Sequence, residues 1–114
     1  QARTQYSQQV QLSLDFIKVH YSNPGLTLSM ISDASNASPG HLGRLCKEEI
    51  HRTPMDYLSH YRVKMASKLL SDKNLRIYEV AEKAGFTSQH YFCNSFKKIT
   101  GQAPREYRHS LENK

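Results

Sequence analysis

Between Gln89 and Thr100 the chain reads QHYFCNSFKKIT, and its residues divide by type at helical spacing. Phe92, Phe96 and Ile99 recur at i, i+4 and i+7, which lines one face of a helix with apolar side chains. The other face carries Gln89, His90, Cys93, Asn94 and Lys97. Amide, imidazole and ammonium groups gathered on one face suit hydrogen bonding to a polar, negatively charged surface better than they suit bond-making chemistry. Against a DNA duplex, Gln89 would pair with adenine, His90 and Asn94 would donate to or accept from base edges, and Cys93 would lie against a thymine methyl. Lys97 and Lys98 suit phosphates, which position a protein without specifying sequence, with plain solvation as the alternative.

Such a helix needs an element to hold it, and the preceding residues supply one. Ile77, Val80, Ala81 and Ala84 fall at i, i+3, i+4 and i+7, the pattern of a short helix with one buried face. Gly85 stops that helix by taking the left-handed conformation, and Phe86 plugs the corner from inside. Thr87 and Ser88 offer side-chain oxygens that cap the next helix and suit a phosphate. A short helix, a glycine turn and a second helix with polar side chains outward is the plan of a helix-turn-helix, whose second helix enters the major groove. After Gly101, Pro104 opens a last helix whose Tyr107 is expected to pack back on this unit.

The N-terminal half repeats the plan. Val10, Leu14, Ile17 and Tyr21 predict an amphipathic helix from about Ser7 to Tyr21, ended by the turn sequence SNPG at residues 22–25. Thr27 is expected to cap a short helix that turns Leu28 and Ile31 inward. Asn36, the best non-glycine occupant of the left-handed region, takes the turn. Ser38 before Pro39 marks the start of a helix running to about His51. Its buried face is expected to be Leu42, Leu45, Cys46 and the stem of Glu49; its outward face is Gly40, Gly43, Arg44 and Lys47, with His41 on a border. Arg44 suits a bidentate pair with guanine O6 and N7, and His41 a base edge. At Gly40 only the backbone itself could approach a base. Ser38 and Lys47 suit phosphates.

The halves correspond at an offset of 50, with Leu42 against Phe92, Arg44 against Asn94, Cys46 against Phe96, Lys47 against Lys97, Pro54 against Pro104 and Tyr57 against Tyr107. Upstream, Ile31 with Val80 and Asn36 with Gly85 correspond at 49. Between them, Tyr57, Leu58, Tyr61, Met65, Leu69 and Leu70 make a helical stripe, a linker helix of roughly 25 Å. Arg62 on it suits a phosphate or an ion pair within the helix. The expected organisation is a polar tail or linker over residues 1–7, a first helix-turn-helix unit over 8–57, a linker helix over 54–72, a second unit over 75–109 and a tail over 110–114. The expected fold is all-α with seven helices.

Composition agrees with a polyanionic partner. The 114 residues hold 16 Lys and Arg against 10 Asp and Glu, a net charge of +6. Residues 1–57 are neutral and 58–114 carry the whole excess, so the positive field belongs to the second half. Cys46 and Cys93 have neither disulfide-framework nor zinc-ligand spacing, and Cys46 reads as core. The six histidines show no metal-ligand motif and no nucleophile motif has its supporting turn, so no metal, cofactor or catalytic residue is expected. An alkyl-transfer repair activity on a cysteine is disfavoured, because neither cysteine has activating neighbours in sequence. No apolar run is long enough for a membrane span, no signal peptide is visible, and a cytoplasmic location is expected.

Gly85, Phe86, Tyr91, Phe92, Phe96, Lys97, Lys98, Gly101, Pro104, Tyr107 and Arg108 stand in a spacing that closely resembles the C-terminal signature of the AraC/XylS family of bacterial transcription regulators. The first unit resembles it through Leu28, Ser38, Leu42, Arg44, Leu45, Lys47, Pro54, Tyr57, Arg62, Ala66, Leu69 and Leu70, so the resemblance covers about residues 8 to 108. It implies a monomeric DNA-binding domain of two homeodomain-like units, with both recognition helices on one face of the duplex. Cys46 stands where the family usually has phenylalanine, and Asn36 where it has glycine. The partners implied are double-stranded DNA at an asymmetric site, RNA polymerase, and a sensing or dimerisation domain N-terminal to this chain. The competing reading is a basic helical protein-interaction module that docks an acidic partner.

Overall fold

Hydroxyl side chains start the helices. In the computed structural model, which describes residues 5–112, Thr27 Oγ1 accepts from the Met30 amide at 3.2 Å, Ser38 Oγ from His41 at 3.2 Å, Thr53 Oγ1 from Asp56 at 3.0 Å and Ser88 Oγ from Tyr91 at 3.0 Å. Each bond satisfies a first-turn amide that has no partner inside its own helix. The helices are α1 (Gln8–His20), α2 (Leu28–Ala34), α3 (Pro39–Ile50), α4 (Pro54–Leu69), α5 (Ile77–Lys83), α6 (Gln89–Thr100) and α7 (Pro104–Glu112), with no strand among the described residues. Glutamates reach back at two further starts: Glu79 accepts from the Arg76 amide and Glu106 from the Ala103 amide, each at 2.8 Å.

The chain divides into two compact units. The division falls inside α4, between Leu58 and Ser59, and Tyr21–Pro24 belongs with the second unit. The linker helix α4 thus contributes residues to both units. Its buried residues are Pro54, Leu58, Arg62, Val63 and Ala66, with Leu70 buried just past its end, whereas Tyr57, Tyr61, Met65 and Leu69 of the expected stripe are half-buried. A helix that serves two cores is not confined to a single apolar stripe.

In the first unit α1 packs on α2 and α3, and α2 on α3. Val10, Leu14, Ile17, Leu26, Ile31, Leu42, Cys46 and Leu58 are buried, while Leu45 is only half-buried. The α2–α3 turn runs through Asn36 at φ 56°, closed by the Ala37 amide donating to the Ser32 carbonyl at 3.2 Å. The Glu49 carboxylate takes the Ser7 amide at 2.7 Å, tying α3 to the start of α1.

In the second unit α6 packs on α5 and α7. The core joins Val63, Ala66, Leu70, Ile77, Val80, Ala81, Ala84, Phe86, Phe92 and Phe96, with Tyr107 against it. Ring centroids lie 5.0 Å apart for Phe86 and Phe92, 5.6 Å for Phe92 and Phe96, and 5.5 Å for Phe96 and Tyr107. The turn repeats the first unit's bond, the Phe86 amide donating to the Ala81 carbonyl at 3.0 Å, with Gly85 at φ 93°. Against that turn lies the Tyr21–Pro24 segment, held by Arg62, whose Nε donates to the Tyr21 carbonyl and Nη2 to the Asn23 carbonyl, each at 2.8 Å. Arg108 performs the same service for the end of α4, giving Nε to the Leu70 carbonyl at 2.9 Å and Nη2 to the Asp72 carbonyl at 3.2 Å.

A Cβ at Gly85 would overlap the Tyr21 carbonyl oxygen and stand 3.0 Å from both Arg62 Nε and Ser22 Cα, whereas one at Gly101, at φ 85°, would meet nothing. Gly101→Ala should therefore cost only the left-handed backbone term, about 1 kcal/mol. Gly85→Ala adds a forced displacement of packed backbone, for a total of about 3 kcal/mol. Urea denaturation of the two variants measures both; equal losses would contradict the close approach at Gly85.

Candidate nucleic-acid interface

Two helices of twelve residues, α3 and α6, are the second helices of the two helix-turn-helix motifs and keep one face clear of the core. On α3, Leu42 and Cys46 point inward, and Gly40, His41, Arg44 and Lys47 are exposed. On α6, Phe92 and Phe96 point inward, and Gln89, His90, Asn94, Lys97 and Lys98 are exposed. Each is introduced by an exposed serine, Ser38 or Ser88, whose oxygen accepts an amide hydrogen and leaves its O–H free to donate outward. Thr87 is exposed beside Ser88, but Ser88 alone is the N-cap. The first turns present their remaining amides where the helix dipole favours an anion.

Two of the expected contact residues stand elsewhere. Arg62 is 8% exposed and its guanidinium is spent on the Tyr21 and Asn23 carbonyls, so it holds the second unit together rather than facing a phosphate. Burial presses its pKa below the usual arginine value and the nearby Tyr91 pulls it back up. Cys93 is half-buried and packs against the second unit's core, which places it on the border of the outward face and not in its middle.

The structure also brings beside α6 three arginines that do not belong to either outward helix face. Arg76, Arg105 and Arg108 line one open concavity of about 320 Å³ with Gln89, Ile77 and Tyr78. It brings arginines from the start of α5 and from α7 beside the first residue of α6. The overall basic excess after residue 58 was visible in the sequence, but its concentration here depends on tertiary packing. Tyr91 is 46% exposed, with its ring edge-on to Phe86 at 5.7 Å, and is a further polar group on the first turn of α6. The offset of 50 sets it opposite His41, a signal that could have singled it out.

Neither thiol is prepared for chemistry. Burial raises the pKa of Cys46, partly countered by a hydrogen bond with Ser13 and reinforced by the Glu49 charge. Burial also raises that of Cys93, against a smaller lowering by Arg105. A raised thiol pKa leaves less thiolate at neutral pH, and the thiolate is the nucleophile. Iodoacetamide at pH 7 should therefore label Cys93 more slowly than an unstructured cysteine peptide, and Cys46 only on unfolding. Mass spectrometry of the labelled chain reads this; labelling of Cys93 faster than the peptide would contradict the assignment. Among the described residues no cluster of three or more His, Cys, Asp or Glu side chains could hold a metal ion, and no helix is long and apolar enough to cross a membrane.

Comparison with known proteins agrees with this geometry. A helix-turn-helix domain model matches residues 31–110, well over half of the chain. The C-terminal domain of AraT, a response regulator from Geobacillus stearothermophilus, superposes with a TM-score of 0.88 at 34% identity, over 94% of this chain and 88% of that one. The uncharacterised HTH-type transcriptional regulator YijO of Escherichia coli is 35% identical over 94 residues, 82% of this chain and 33% of that protein. The arabinose operon regulatory protein of Escherichia coli is 28% identical over 105 residues, 92% of this chain and 36% of that protein. The chain thus spans about a third of the length of these curated relatives. With two capped, outward-facing second helices on an all-helical, repeated framework, the chain belongs to the AraC-type family of helix-turn-helix domains.

Proposed function

We propose that this chain is the sequence-specific, double-stranded DNA-binding part of a bacterial transcription regulator, with α3 and α6 entering successive major grooves of one asymmetric site. The observation that carries the reading is the pair of serine-capped helices, each with its apolar face buried and its hydrogen-bonding face exposed. The two outward faces differ in side chains, so no palindrome is required. Arg44, Gln89 and Asn94 read bases, with His41, His90, Gly40 and the flank of Cys93 close to them. Ser38, Lys47, Thr87, Ser88, Lys97 and Lys98 meet phosphates, and Arg76 and Arg105 add to that set from the concavity beside Gln89. The reading uses no cofactor and no catalytic group.

In the whole protein, a sensing or dimerisation domain N-terminal to this chain would control when the readers engage. RNA polymerase would be the second partner in the cytoplasm. A basic module that docks an acidic protein is the weaker reading, because a protein partner does not call for two polar reading helices repeated at a fixed offset in one chain. Salt separates the two: phosphate neutralisation makes log affinity fall linearly with log salt while base preference persists.

Arg44→Ala and Asn94→Ala should each relax preference at particular base pairs by about 1–3 kcal/mol. Lys97→Ala and Arg105→Ala should weaken all sequences nearly alike and reduce the salt slope by about 1 each. Fluorescence anisotropy on matched and singly substituted duplexes over a salt series measures both. Uniform weakening by Arg44→Ala would remove its base-reading role, and a salt slope near zero for the unaltered chain would favour the protein-docking module.

A further inference from the structure

In each recognition helix a first-turn histidine is hydrogen-bonded to the residue one turn on that is best suited to read a base. On α3, Arg44 Nη2 lies 3.3 Å from His41 Nδ1; on α6, Asn94 Nδ2 lies 3.2 Å from His90 Nε2. Guanidinium and carboxamide nitrogens donate and do not accept, so the ring nitrogen is the acceptor in both pairs. That places the proton of neutral His41 on Nε2 and that of neutral His90 on Nδ1. The pairs are not one contact inherited through the repeat. Arg44 and Asn94 correspond at the offset of 50, but His41 corresponds to Tyr91, not to His90. The spacing is i, i+3 in one and i, i+4 in the other, and opposite ring nitrogens accept. Two different routes arrive at the same arrangement on the two exposed faces.

The groups left free match the chemistry of reading. Asn94 gives one Nδ2–H to the ring and keeps Oδ1 and its second Nδ2–H, the acceptor and donor that pair with adenine N6 and N7. Arg44 gives one Nη2–H and keeps four N–H donors for guanine O6 and N7. A long polar side chain that is already held loses less conformational freedom when it meets its base.

We propose that His41 and His90 are positioning residues that hold Arg44 and Asn94 for base reading, so that discrimination at two base pairs depends on a histidine acceptor which itself reads no base. The inference rests on the DNA-binding reading above. Its test uses the full chain and its preferred duplex, with the base pairs read by Arg44 and Asn94 assigned from Arg44→Ala and Asn94→Ala. His41→Ala should reduce preference at the Arg44 base pair by about 2- to 10-fold, and His90→Ala should do the same at the Asn94 base pair. His41→Asn, which puts an oxygen where Nδ1 stood, and His90→Gln, which puts one where Nε2 stood, should restore it. In the Arg44→Ala or Asn94→Ala background the matching histidine change should have no further effect. Thermal midpoints should stay unchanged throughout, since all four side chains are exposed. Unchanged preference in the alanine variants would overturn the inference. So would equal losses in the alanine and the acceptor-retaining variants, or a histidine effect that survives loss of its partner. Absence of any sequence preference in the unaltered chain would instead overturn the DNA reading itself.

Discussion

The second unit depends on there being no side chain at Gly85. The residue sits at φ 93° between α5 and α6, and the space a Cβ would take is filled by the Tyr21 carbonyl oxygen, Ser22 and Arg62 Nε. The same Arg62 fixes the Tyr21 and Asn23 carbonyls. Turn, segment and guanidinium therefore define one another, and a shift in any of them would move Phe86, which bridges the turn to Phe92. The aim of α6 is set from there. A buried guanidinium that donates to two backbone carbonyls is a demanding device, because its charge must leave water and is compensated only while both bonds are kept. No buried side-chain nitrogen or oxygen among the described residues lacks a hydrogen-bond partner.

The first unit meets the same requirement with different residues. Asn36 at φ 56° replaces glycine, which asparagine tolerates better than any other L-residue, and the closing bond from the following amide to the carbonyl five residues back is retained. Hydroxyl caps then set where α3 and α6 begin, and the 3.6-residue period decides which side chains remain outside. From caps and period alone, Arg44 and Asn94 come to equivalent places on two helices. What differs lies outward: beside the shared serine cap and the equivalent Lys47 and Lys97, α3 carries Gly40, His41 and Arg44, while α6 carries Gln89, His90, Tyr91 and Asn94 and has the arginine-lined concavity at its start. Two frameworks of one design thus present two unlike surfaces, the property an asymmetric site requires.

Local chemistry made most of this legible in the sequence. Caps, turns and apolar spacing act within a few residues, so the starts of α2, α3 and α6, the left-handed Asn36 and Gly85, and the inward sets Leu42 with Cys46 and Phe92 with Phe96 were all readable. Contacts across the fold were not. The partners of Arg62 lie 39 and 41 residues away, so its exposed-looking position on α4 gave no warning of burial. Likewise, Arg76 and Arg105 are ordinary basic residues until α5, α6 and α7 bring them beside Gln89. The burial of α4 departed from a single stripe because its first residues serve one core and its later ones another. Cys93 lies half-buried at the core's edge, on the border of the outward face that its spacing predicts, because a fraction of a turn on a narrow helix separates open surface from core.

Selection of bound double-stranded DNA from a random pool tests the central claim most directly, because it asks for the site without assuming one. Two unlike readers in one chain predict a single asymmetric consensus with two enriched blocks whose centres lie about one helical turn, roughly 10 base pairs, apart. Enrichment of one short block alone, of a palindrome, or of no sequence at all would contradict it.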